Sequence, residues 1–130
     1  MARIHDVVFD SRHPASIARF WAAVLDDYQV APYDQAELDR LRMNGITDPE
    51  DDPTVLVDAP GARPRLFFQL VCEPKTVKNR IPLDLRCDSF DAEIARLTAL
   101  GASILEEHDG HFVLLDPEGN EFCLSGRTTS

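Results

Sequence analysis

Hydrophobic periodicity changes several times along the chain, and each change marks an element. Residues 3–10 are rich in β-branched and aromatic side chains and predict a strand. Pro14 suits the first turn of a helix. Ile17, Phe20, Trp21, Val24 and Leu25 then recur at i, i+3, i+4, i+7 and i+8, an apolar stripe that Asp26 and Asp27 close. Residues 28–33 predict a short strand. Asp34, three residues ahead of Glu37, starts a second helix in the manner of a capping box; Leu38 and Leu41 share its face and Gly45 stops it. Residues 46–53 are acidic and turn-rich, 54–58 predict a short strand, 59–64 a loop, and 65–72 a strong strand.

After a polar connector, residues 73–80, the plan repeats. Residues 81–87 alternate as a strand, and Asp88 or Ser89 caps a helix whose Phe90, Ile94 and Leu97 line one face before Gly101 ends it. Residues 103–107 and 111–115 predict strands, 116–120 a turn, 121–125 the last strand, and 126–130 a polar tail expected to fray. Both halves therefore run strand, helix, further strands, with an extra helix inserted in the first. Period two also separates two faces. Val7/Phe9, Leu66/Phe68/Leu70, Leu83/Leu85 and Phe122/Leu124 suit the helices. Asp6/Val8/Asp10, Phe67/Gln69/Val71, Pro82/Asp84/Arg86 and Glu121/Cys123/Ser125 form the other, more polar face.

Composition narrows the function classes. A chain of 130 residues fits one domain, residues 1–130, and buries roughly two thirds of its unfolded surface without a staple. Thirteen basic against 23 acidic residues leave a formal charge of −10, which repels phosphate backbones, so no nucleic-acid partner is expected. No apolar run approaches a membrane span, and the N-terminus shows no signal-peptide core, so the expected location is the cytoplasm, away from membranes. Cys72, Cys87 and Cys123 are odd in number and widely spaced, and read as buried reduced thiols on strands.

Five segments in order carry a resemblance. They are His13-Pro14 with Ala18-Arg19-Phe20-Trp21, Pro64 to Gln69, Glu73 to Arg80, Leu83 to Arg86, and Asp116-Pro117-Glu118-Gly119-Asn120 running on to Leu124. Together they resemble glyoxalase-like domains of the vicinal oxygen chelate superfamily over roughly residues 3–125. The resemblance implies an α+β fold of paired βαβββ modules, about 3–72 and 81–125, forming a curled mixed sheet around a cleft, and commonly a homodimer. In metal-dependent members it implies four ligands, here falling at Asp6, Gln69, Pro82 and Cys123. Pro82 has no side-chain donor and Cys123 is soft where a carboxylate is usual, so neither a metal nor another cofactor is expected.

The candidate catalytic residues are Asp6 and Asp84, either serving as a general base if burial raises its pKa, the competing reading being an ionised carboxylate paired with Arg86. Phe67, Gln69, Arg86, Cys123 and Lys78 are the candidate ligand-binding residues, with Lys75, Lys78 and Arg80 a positive spot that grips an acidic group, stays solvated or pairs with Glu73. The expected ligand is a small organic molecule between the strands of Gln69 and Asp84, neutral or cationic in its buried part. Three functions stay open: a metal-independent lyase or isomerase step carried by carboxylates, antibiotic sequestration of the bleomycin-resistance type, and a metalloenzyme using a ligand set other than the family's.

Overall fold

The structure, a computed structural model, describes residues 1–61 and 63–126. The fold is α+β, and the chain divides into two compact units, Met1–Pro74 and a second that begins at Lys75. The first contains β1 (Asp6–Ser11), α1 (Pro14–Val24), β2 (Gln29–Val30), α2 (Gln35–Met43), a 3-10 turn at Pro49–Asp51, β3 (Thr54–Asp58) and β4 (Arg65–Leu70). Its sheet runs β1-β4-β3-β2, with β1 parallel to β4 and the other pairs antiparallel. The second contains β5 (Leu83–Cys87), α3 (Phe90–Leu100), β6 (Ser103–His108), β7 (His111–Leu115) and β8 (Glu121–Gly126), in the matching order β5-β8-β7-β6. Each module is thus βαβββ with an open, mixed four-stranded sheet.

Local chemistry explains most boundaries. Pro14 opens α1, where its missing N–H costs nothing. Leu25 ends that helix by turning extended while its N–H still bonds to the Trp21 carbonyl, so the apolar stripe outlasts the helix by one residue. α1 buries Ile17, Phe20, Trp21 and Val24 against β3 and β4. Beneath them Phe9 stacks on its register partner Phe68 with centroids 4.9 Å apart. At α2 only half of the expected capping box forms: the Glu37 N–H donates to Asp34 Oδ1 at 2.9 Å, but the Glu37 carboxylate reaches forward to Arg40 instead of back.

Six strands differ from expectation at their ends, among them β2, which shrinks to two residues, and β6, which gains His108. β1 starts at Asp6, not residue 3, and β4 stops at Leu70. β5 starts at Leu83, because Pro82 has no N–H to give a ladder. β8 includes Gly126, where a Cβ would come 2.7 Å from Phe90 Cε2; glycine there lets the ring, which meets Phe112 edge-on at 5.4 Å, lie over the strand end. The expected tail, 127–130, lies outside the described residues. α3 fully buries only Leu97, far less than α1 does. No helix among the described residues is long and apolar enough to cross a membrane.

Candidate functional site

Strand register builds the open face of the first sheet. Asp6, Val8 and Asp10 on β1 stand beside Arg65, Phe67 and Gln69 on β4, and Phe67 and Gln69 stand beside Leu56 and Thr54 on β3. Asp6 is held by a two-point ion pair, Arg65 Nε to Oδ1 at 2.8 Å and Nη2 to Oδ2 at 3.1 Å, with His5 Nδ1 3.0 Å from Oδ1. The Arg65 hydrogen bonds outweigh partial burial and, with His5 adding to them, hold the Asp6 carboxyl below its ordinary value. A carboxylate that acidic is a weak proton acceptor, and its partner is Arg65, the neighbour across the ladder. Gln69 donates from Nε2 to Asp10 Oδ1 at 2.7 Å. The Arg65 guanidinium lies 5.2 Å from the centroid of Phe67.

Beside Phe67 the face deepens into a cavity of about 480 Å³. Phe67, Leu56 and Thr54 come from the sheet, Ala31, Pro32 and Tyr33 from the segment after β2, and Glu37 and Arg40 from α2. Asp52 anchors the wall. It is 3% exposed and accepts the Tyr33 hydroxyl on Oδ2 at 2.8 Å and the Thr54 N–H on Oδ1 at 3.0 Å. Arg40 Nη2 stands 3.8 Å from the same Oδ2 and bonds to Glu37 Oε2 at 2.9 Å. Burial first, then the bond to Asp52, pushes the Tyr33 phenol far above its usual range, so it stays neutral at any working pH. Tyr33, Arg40 and Asp52 are absent from the sequence-derived candidates. Asp52 is masked there by the acidic run Asp48 to Asp52, every member of which reads as solvated.

On the second module, Asp84 faces Cys123 and Arg86 faces Ser125 across the β5–β8 ladder. Asp84, Arg86 and Lys78 are exposed and Cys123 is half-buried. Among the described residues no ion pair joins Asp84 to Arg86. Lys75 pairs with Glu121 at 2.6 Å and not with Glu73, and the Asn79 N–H donates to the other Glu121 oxygen at 2.8 Å. Both carboxylate oxygens thus tie the connector to β8. Burial pushes Glu121 up, but Lys75 and the backbone N–H groups together hold it below its ordinary 4.5. A lowered folded pKa gives stability that is present above the unfolded value and lost as pH falls through the folded one. Urea unfolding should therefore weaken below about pH 4.5. Glu121→Gln should cost roughly 2 kcal/mol at pH 7 and flatten that acid decline; an unchanged acid limb in the variant would remove Glu121 from the explanation.

Two open mixed sheets built from repeated βαβββ units, with a polar-rimmed cavity on one open face, define the glyoxalase-like class. The chain belongs to the glyoxalase-like domain family, whose model matches residues 6–125. Similar solved structures include a glyoxalase/bleomycin resistance protein/dioxygenase family enzyme from Burkholderia phytofirmans PsJN, at TM-score 0.64 and 19% identity, covering 96% of this chain and 98% of that one. Fosfomycin resistance protein FosX from Mesorhizobium loti aligns at TM-score 0.65 and 13% identity over 99% of this chain and 94% of its own. The oxidase ChaP-H2 aligns at TM-score 0.58 and 16% identity over 98% and 95%. No curated protein matches the chain.

The residues at the family's metal-ligand positions do not fit a metal. Asp6 pairs in register with Arg65 and Gln69 with Asp10, which puts Asp6 and Gln69 four residues, roughly 13 Å, apart along the strands. A shared ion needs each donor within about 2 Å. Asp6 is also occupied by Arg65, Gln69 by Asp10, and Pro82 offers no donor. Moving the register by one to recruit His5 is blocked by the Phe9–Phe68 stack, which fixes the parity of β1. Among the described residues no three His, Cys, Asp or Glu side chains group where they could hold an ion.

Proposed function

We propose that this glyoxalase-like domain binds a small organic molecule in the cavity over Phe67, without a metal, and that it is a binding protein first. The observation that carries this is the cavity itself: an apolar floor of Phe67 and Leu56 beneath a rim of hydrogen-bonding groups, the make-up of small-molecule sites. Sequestration, the antibiotic-resistance type of role, is favoured over a lyase or isomerase step by the electrostatics. Asp6, the candidate base of the first module, is held below its ordinary value by Arg65, the opposite of what a carboxylate general base needs. Asp84, Arg86, Cys123 and Lys78 are proposed as polar contacts for a small molecule on the second module itself, and residues 1–130 are proposed to be one domain.

The test is a thermal-shift screen of small organic molecules, followed by titration of the hits with and without EDTA. Affinity should be indifferent to EDTA, and Tyr33→Phe, which removes a hydrogen-bonding group of the lining, should weaken it by about 1 kcal/mol, the value of a lost hydrogen bond. Hits that need a divalent ion, or that bind the variant as well as wild type, would sink this reading. The domain is further proposed to be a homodimer. β6 is exposed along its whole length, with Ile104 and Leu105 about half exposed, an edge that pairing would cover. Sedimentation should give twice the 14.6 kDa chain mass at micromolar concentration; the monomer mass would refute it.

A further inference from the structure

The polar groups around the cavity are unequal in what they offer. The Tyr33 proton is committed to Asp52 Oδ2, so the phenolic oxygen faces other partners only as an acceptor. Both Arg40 bonds to Glu37 end on Oε2, which leaves Oε1 without a hydrogen bond among the described residues. Arg40, the one cationic residue of the lining, sits between Glu37 and Asp52 and is neutralised by them. The lining therefore carries one positive and two negative groups, two available acceptors, and an apolar floor.

We propose that the ligand class is an arylalkylamine: a flat apolar ring against Phe67 and Leu56, and a protonated amine donating to Tyr33 Oη and Glu37 Oε1. This deepens the reading above and rests on it. An ammonium supplies the donors that both acceptors lack and offsets the excess negative charge. A carboxylate on the same ring would have to displace Glu37 from Arg40 and would meet Asp52 behind it.

Three probes with one ring separate the contributions: tryptamine, indole and indole-3-propionate, titrated into the uniformly 15N-labelled full chain at pH 7 and low salt. Tryptamine should perturb the amides of 31–33, 54–56 and 67 and bind about fivefold or more tightly than indole, as one partly exposed charged contact allows. Indole-3-propionate should bind most weakly. In Glu37→Gln, which keeps the helix cap made by the backbone of residue 37, tryptamine should fall to the affinity of indole and indole-3-propionate should gain. If indole-3-propionate equals or beats tryptamine while shifting the same amides, the amine class is wrong and the cavity stands. If none of the three shifts those amides at millimolar concentration, both the class and the cavity fall.

Discussion

Phe68→Ala should destabilise the first module by about 3–5 kcal/mol, while Phe67→Ala, one residue away, should cost about 1 kcal/mol or less. Phe68 is fully buried, stacked on Phe9 and covered by the α1 residues, so its removal leaves a cavity that a packed core closes poorly. Phe67 points the other way, half-buried on the open face with Arg65 over its ring, and little rests on it for stability. The same pair should separate in binding: Phe67→Ala removes the floor of the cavity and should lower affinity for a ring-bearing ligand about tenfold, a factor near 1.4 kcal/mol. Urea unfolding of both variants, with calorimetric titration of Phe67→Ala, tests the two halves together. Equal losses of stability would mean that the strand parity is wrong, and unchanged binding by Phe67→Ala would move the site elsewhere.

That parity was readable from alternation alone. On β4, Leu66 and Phe68 face α1 and Phe67 and Gln69 face away, because one rotation about the strand settles every side chain at once. The repeat was equally legible, since β1–α1 and β5–α3 carry the same order of periodicities. Partnerships were not. Sequence proximity suggested Arg86 for Asp84 and Glu73 for the connector cations, whereas Asp6 found Arg65, 59 positions away, and Lys75 found Glu121, 46 positions away. Register and chain reversal choose such partners, and neither leaves a local mark. The cavity was hidden for the same reason. Phe67 and its face could be named, but Tyr33 and Asp52 are 19 residues apart, on a post-strand segment and in an acidic turn, and acquire meaning only when the fold joins them.

Asp52 is where the fold and the site depend on one side chain. Asp52→Ala should lower stability by about 2–4 kcal/mol, since it strands the Tyr33 hydroxyl and the Thr54 N–H in a region with little water and bares Arg40. Asp52→Asn is nearly the same shape and should cost only about 1–2 kcal/mol, because its oxygen can still accept from Thr54. Its amide nitrogen, however, donates where the carboxylate accepted. The Tyr33 oxygen must then receive that hydrogen, and its own proton is released toward the cavity. The acceptor-rich rim gains a donor and loses a negative charge, so tryptamine should bind Asp52→Asn several-fold more weakly while indole is little changed. Urea unfolding and the same probe titrations read both effects. An Asp52→Ala protein as stable as wild type would show that the buried carboxylate does not organise this wall. A folded Asp52→Asn protein with undiminished affinity for tryptamine would show that the orientation of the Tyr33 proton does not select the ligand.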